Sequence, residues 1–349
     1  MKNRFSGIAL ATSLACASLS AFATADADGS QVVVAASNTS TNHLLVYGLD
    51  GTLLHTVATG GQGGVSGNAG GIAYRNGRIA VVNFGSGSVS IFNVVTGRST
   101  PVLAQIVPIA GNPVSVAFSD DHLYVLTGTH VESHAVRGPA IGSSAIDDGA
   151  DGTAPLVKAD GSAAQVGVLT VQLVISEKNN AIETVNLDAR GAVTGSASLV
   201  ADIPANVNAP FGLATRGNDA YVTIAHANEI SLVRHKDVLT VTGSGTQHAP
   251  CWVALDGPFL FSSNSPSMSV SRYAVYGEKI VQDEAVVASF NGAPTDIAYK
   301  ARVAAVVDSN GTESHVSIFH VDEDGNFTSR ATATIASPTT NGIAVVPAL

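Results

Sequence analysis

The chain of 349 residues predicts an all-β fold, a seven-bladed β-propeller closed by pairing of its N- and C-terminal strands. Three observations predict it. A short anchor, one variable residue followed by an aliphatic residue and Ala, recurs as "GIA" 71–73, "SVA" 115–117, "GLA" 212–214, "WVA" 252–254, "DIA" 296–298 and "GIA" 342–344. The steps between anchor alanines are 44, 97, 40, 44 and 46 residues, and the double step leaves room for a degenerate copy near 164–166. Within each copy an anchor strand, a second strand, a turn, a third strand and a more variable fourth follow in one order, each alternating with period 2. The two chain ends are complementary parts of one further unit. Four short antiparallel strands repeated at this spacing are the sequence form of a propeller.

In chain order, residues 1–25 predict an export signal. "MKNR" is basic, "FSGIALATSLACASLSAFA" is apolar and small, and "AFATAD" offers A-x-A cleavage after Ala23 or Ala25. The expected location is periplasmic or extracellular, with one domain over 26–349. A membrane anchor is one alternative, although the stretch is rich in Ala and Ser, is broken by Gly7 and runs directly into the cleavage-like residues. Lipid attachment at Cys16 is another, although the preceding "TSLA" fits it poorly. No later stretch approaches the roughly 20 apolar residues of a spanning helix.

"SQVVVAASN", "HLLVYGL" and "TLLHTVA" supply three strands of blade one, and the C-terminal "GIAVVPAL" supplies the missing anchor strand. This joint removes an open sheet edge. "GGQGGVSGNAGG" (60–71) is glycine-rich, but no helix follows it to hold a phosphate, so it reads as a loop between blades. Blade two contains "RIAVVN" and "SVSIFNV", and blade three contains "HLYVLT". An insert at about 130–161 then places Asp147, Asp148 and Asp151 among glycines. Carboxylates on a flexible turn suit a divalent cation such as Ca²⁺. No Glu closes the spacing, so a solvated surface insert is favoured and no cofactor is predicted. Blade four is the degenerate copy, "QLVISEKNNAIETVNL". "AYVTI" and "EISLV" belong to blade five, "FLFSSN" and "SVSRYAV" to blade six, and "VAAVVD", "HVSIFHV" and "SRATATI" to blade seven.

Composition excludes several classes. Charged residues are 13% and glycines number 35, so the chain is not of the disordered type. Loss of Lys2 and Arg4 with the signal takes the formal charge from −10 to about −12. Such an acidic protein is a poor partner for nucleic acid or an anionic membrane surface. A small molecule or a protein is the expected partner. Cys251 alone remains after cleavage, so no internal disulfide can form.

In a propeller, equivalent positions surround one axis and can be compared across blades. The residue before the aliphatic-Ala pair reads Gly71, Ser115, Ala164, Gly212, Trp252, Asp296 and Gly342. Five are small, as crowding at the axis requires, while Trp252 and Asp296 are neighbours that break the rule. A carboxylate beside a large aromatic group in a confined mouth suits a general base. A local cap at Asp296 and a plug at Trp252 are the competing roles. At the end of the second strand stand Asn83, Thr127, Ser176, Ile224, Asn264 and Asp308, and the polar ones are expected to bond the following turn. His226 and His248 fall in loops of the same face, with Phe211 nearby in blade five. No H-x-H, H-E-x-x-H, C-x-x-C or G-x-S-x-G is present, and no metal site is predicted.

The grammar of "AYVTIAHANEISLV", with the hairpin "VDEDGNF" (321–327), resembles the YVTN-repeat and lactonase-like seven-bladed propellers over essentially the whole mature chain. The resemblance implies either of two functions. The first is a hydrolase opening a lactone or related cyclic ester, with Asp296 or His248 as base and Trp252, Asp308, His226 and Phe211 around the substrate. The second is a non-catalytic propeller that binds a small ligand or a protein. The phosphogluconolactonase branch has a Gly-Pro-Arg-His stretch, and the nearest counterpart here, "QHAPCW" (247–252), lacks the Arg. That departure argues against a phosphosugar substrate.

Overall fold

Alternation of β-branched and small residues gives each strand two packing faces, and neighbouring sheets bury both. The computed structural model describes residues 31–65, 70–94, 100–138, 145–200 and 209–347. The proposed signal 1–25 and Cys16 lie outside the described residues. Seven antiparallel sheets follow one another along the chain. Their innermost strands contact in a closed ring, each touching the next and the last touching the first. Apolar clusters fill the wedges between adjacent blades. The chain is therefore a seven-bladed β-propeller.

Closure follows the predicted joint. Ile343–Pro347 pairs antiparallel with Gln31–Ala36, in register from Gln31↔Pro347 to Ala35↔Ile343. Val345 is 6% exposed and Val346 is fully buried, so the joint is a core element.

The recurring turn between second and third strands has one shape in blades two and five. Phe84–Ser86 and Ala225–Ala227 each form a single 3₁₀ turn, closed by Gly87 and Asn228 at φ 57°. Gly and Asn are the residues that enter this left-handed region at low cost. This explains why "FGSG" and "AHAN" are interchangeable in the repeat.

The insert in blade three is more integrated than a solvated loop. Gly152–Pro155 pairs with His130–Ser133, and Ala145–Ile146 pairs with Val136–Arg137, so the insert supplies the blade's outer strand. Its acids already have protein partners. Arg137 Nε donates to Asp147 at 3.0 Å, Gln105 of blade two donates to Asp148 at 2.7 Å, and Ser133 Oγ donates to Asp151 at 2.7 Å.

Candidate functional site

Proline shapes the axial positions. In blades three, six and seven a proline, Pro113, Pro250 or Pro294, stands at or next to the start of the innermost strand, and the register shifts before Ser115, Trp252 and Asp296. A bulge re-aims the side chain that follows it, and proline suits such positions because no ladder N–H is lost. Blade four has the same shift between Ala163 and Gln165. Its axial residue is therefore Gln165, not Ala164, and its second-strand terminus is Glu177, not Ser176. The degenerate copy has no proline to mark the register, so its place in the repeat lies one residue later than the spacing of the anchors suggests. Three axial residues, not two, depart from the small-residue rule.

The small ones are small for a steric reason. A Cβ on Gly212 would lie 2.4 Å from the Cys251 carbonyl oxygen and 2.6 Å from Trp252 Cα. One on Gly342 would lie 3.1 Å from the Gly71 backbone.

Asp296 is 5% exposed. Its Oδ1 accepts from the Ile297 N–H at 2.8 Å. Burial pushes its carboxyl up to about 7, against the opposing pull of backbone N–H groups of Ile297, Ile343 and Gly70. It thus spans blades seven, one and two at the axis. Gln165 does similar work opposite, accepting the Leu213 N–H of blade five at 2.7 Å. Asp308 is 2% exposed and pairs with His315 Nδ1 at 3.0 Å. Burial raises the Asp308 carboxyl more than His315 lowers it. Burial also pulls the His315 imidazole down, but Asp308 and Glu313 outweigh it and leave it raised.

Of the remaining polar second-strand termini, Thr127 bonds the following turn as expected, whereas Asn83 and Asn264 bond the third strand of their own blades. Asn83 Nδ2 donates to Ser90 Oγ at 2.7 Å, and Asn264 Nδ2 donates to Ser271 Oγ at 2.8 Å. Thr127 Oγ1 donates to the His130 carbonyl at 2.9 Å. Ser176, one residue before the terminus of blade four, donates its Oγ across to the Phe211 carbonyl of blade five and does not bond the following turn.

A cavity of about 300 Å³ opens beside Trp252. Thr295 of blade seven, the Pro338–Asn341 loop leading to the closing strand, Asn38 of blade one and Gly64–Val65 of the glycine-rich loop complete its wall. Asn38 fixes that loop. Its Oδ1 accepts from Gly64 N at 2.7 Å and Val65 N at 3.1 Å, and its Nδ2 donates to the carbonyls of Val65 at 2.7 Å and Thr339 at 2.9 Å. Val65 inserts into the apolar cluster of blades three and four. The glycine-rich stretch is thus an inter-blade loop, as read, and also one wall of this cavity.

The predicted site residues only partly assemble. Trp252, 6% exposed, meets Phe211 edge to face with ring centroids 5.9 Å apart. The cavity wall includes Trp252 but not Asp296, Asp308, His226 or His248. His226 sits exposed in the 3₁₀ turn of blade five. His248 is exposed, and its backbone N–H donates to Ser267 Oγ at 2.8 Å. Asn38, Thr295, Thr339, Thr340 and Asn341 were missed. The only sequence signal near them was Pro338 before the last anchor.

No family model matches the chain, and no curated protein matches it. Solved structures do. A functionally unknown protein from Desulfotomaculum acetoxidans DSM 771 aligns at TM-score 0.65 and 12% identity, covering 91% of this chain and 98% of that one. A protein provisionally named a 6-phosphogluconolactonase, from Bacteroides fragilis NCTC 9343, aligns at 0.62 and 15%, covering 92% and 99%. One of the same provisional name from Bacteroides uniformis ATCC 8492 aligns at 0.62 and 14%, covering 91% and 100%. At these identities the likeness establishes the fold alone: this chain is a seven-bladed β-propeller.

Proposed function

We propose that the protein is a non-catalytic propeller that binds a small molecule in the cavity beside Trp252, and that it works outside the cytoplasm. The observation that carries this reading is the cavity itself. Its volume of about 300 Å³ lies at the low end for small-molecule sites, roughly 300–1,000 Å³. One aromatic wall and several placed polar groups are the usual makeup of such sites. The four bonds of Asn38 hold the loop in place before any ligand arrives, which lowers the ordering cost of binding. The export signal expected over residues 1–25 supports the location.

Trp252 is the only tryptophan, so tryptophan emission, excited selectively over that of the seven tyrosines, reports on this wall alone. The test is a panel of sugars, sugar lactones, sugar acids and sugar phosphates, read by fluorescence and melting temperature. A ligand at 100 times its Kd stabilises by about 2.7 kcal/mol. A panel in which no member shifts either signal contradicts the reading.

Lactone opening is the second reading. It is favoured by Asp296, whose carboxyl at about 7 suits a general base near neutral pH. Against it, that carboxyl faces backbone N–H groups and is not part of the cavity wall. Asp296→Asn keeps the size and removes the base. Lactone opening by wild type that falls ~100-fold in the variant, with melting not lowered, would favour the hydrolase.

A further inference from the structure

Building on the binding reading, we propose that the cavity takes an uncharged, polyhydroxylated ligand of about monosaccharide size, held through Trp252 Nε1, Thr340 Oγ1 and Asn341 Oδ1. Six polar side chains line the cavity, and they divide by what they already do. Asn38 is saturated by the loop clamp described above. Thr295 Oγ1 faces the carbonyls of Val307 at 3.4 Å and Thr340 at 3.5 Å. Thr339 Oγ1 donates to the Ser37 carbonyl at 3.0 Å. These three build the wall.

Trp252, Thr340 and Asn341 differ. They are 6%, 1% and 8% exposed, and each carries one buried polar atom with no hydrogen-bond partner. An unpaired buried polar group is destabilising, and native proteins keep few of them. Three around one cavity are explained if a ligand supplies the partners.

Their chemistry selects the ligand. The indole N–H only donates, the amide oxygen only accepts, and the hydroxyl does both. A ligand hydroxyl can answer all three roles, so several hydroxyls on a compact ring match the set. Among the described residues, no ionisable side chain lines the cavity. A phosphate or carboxylate would enter without a cation to pair it, and a buried unpaired charge is disfavoured. Asp296, next in sequence to Thr295, would repel an anion further when ionised.

The test is calorimetric titration of the mature protein with glucose, galactose and glucono-1,5-lactone, set against glucose 6-phosphate and gluconate. At least one uncharged compound is expected to bind about tenfold or more tightly than its charged counterpart, a difference of one good hydrogen bond or more. Thr340→Val replaces the unpaired hydroxyl with a methyl. It is expected to melt at or above wild type while weakening the uncharged ligand about tenfold, and Thr340→Ser is expected to recover binding. Equal or tighter binding of a charged counterpart overturns this proposal and leaves the binding reading standing. Unchanged affinity in Thr340→Val overturns it as well. If no compound binds, both readings fall.

Discussion

Asp296 and Glu177 are acids that folding keeps protonated near neutral pH. Burial raises Asp296 to about 7. Burial, with Glu183 nearby, raises Glu177 to about 8 despite a bond from Ser162. In the unfolded chain both lose their protons near pH 4. Between those values the native state binds more protons than the unfolded state, so stability falls as pH rises through the window. His315, also raised, loses its contribution in the same direction. Glu132 acts oppositely. Burial opposes its ionisation, but His130 and His134 hold it at about 2, so its contribution is lost only as pH falls from about 4.5 toward 2. The melting temperature is therefore expected to be higher at pH 5 than at pH 8. Glu177→Gln should remove part of the decline and gain about 2 kcal/mol or more at pH 8. A wild type that melts higher at pH 8 contradicts this assignment. Cys251 belongs to the same scale. It is 7% exposed, and burial raises its thiol, so a thiol reagent should label the native protein slowly and the unfolded protein fast.

At the scale of elements, the inner strands are set by close backbone approach. Gly212→Ala forces a methyl against the Cys251 carbonyl and Trp252 Cα, so it should cost about 2 kcal/mol or more and disturb Trp252 emission. Asn83→Ala should cost a similar amount, because it leaves Thr59, Ser90 and Asn42 without their shared partner inside blade two. Normal melting of both variants in chemical denaturation would contradict these roles. Trp252 and Asp296 were legible as exceptions in a repeated column. Gln165 was not, because a bulge in a blade without proline shifts the count by one residue. Thr340, Asn341 and Asn38 were also hidden. They are ordinary polar loop residues, and their meaning comes from closure. Asn38 reaches Thr339 across 301 residues of sequence, and no local pattern records that contact.

For the whole molecule, the ring was legible because every blade solves the same packing problem with the same alternation, and because the two ends complete one sheet. Removing residues 342–349 takes away Ile343, Val345 and Val346, each nearly or fully buried, and opens blade one. Burial of such side chains stabilises by about 1.5–3 kcal/mol each, a large share of a typical 5–15 kcal/mol. The truncated chain should melt far below the full one, and an unchanged melting temperature would contradict closure. Closure also makes the cavity, since its wall joins blades six and seven to both chain ends. The most direct test uses the single indole. In a ¹⁵N-labelled sample, Trp252 gives one side-chain N–H resonance. This resonance is expected to move in a saturable way as glucose, galactose or glucono-1,5-lactone is added, and Thr340→Val is expected to weaken the response. A resonance unmoved by all three at millimolar concentration would contradict this expectation.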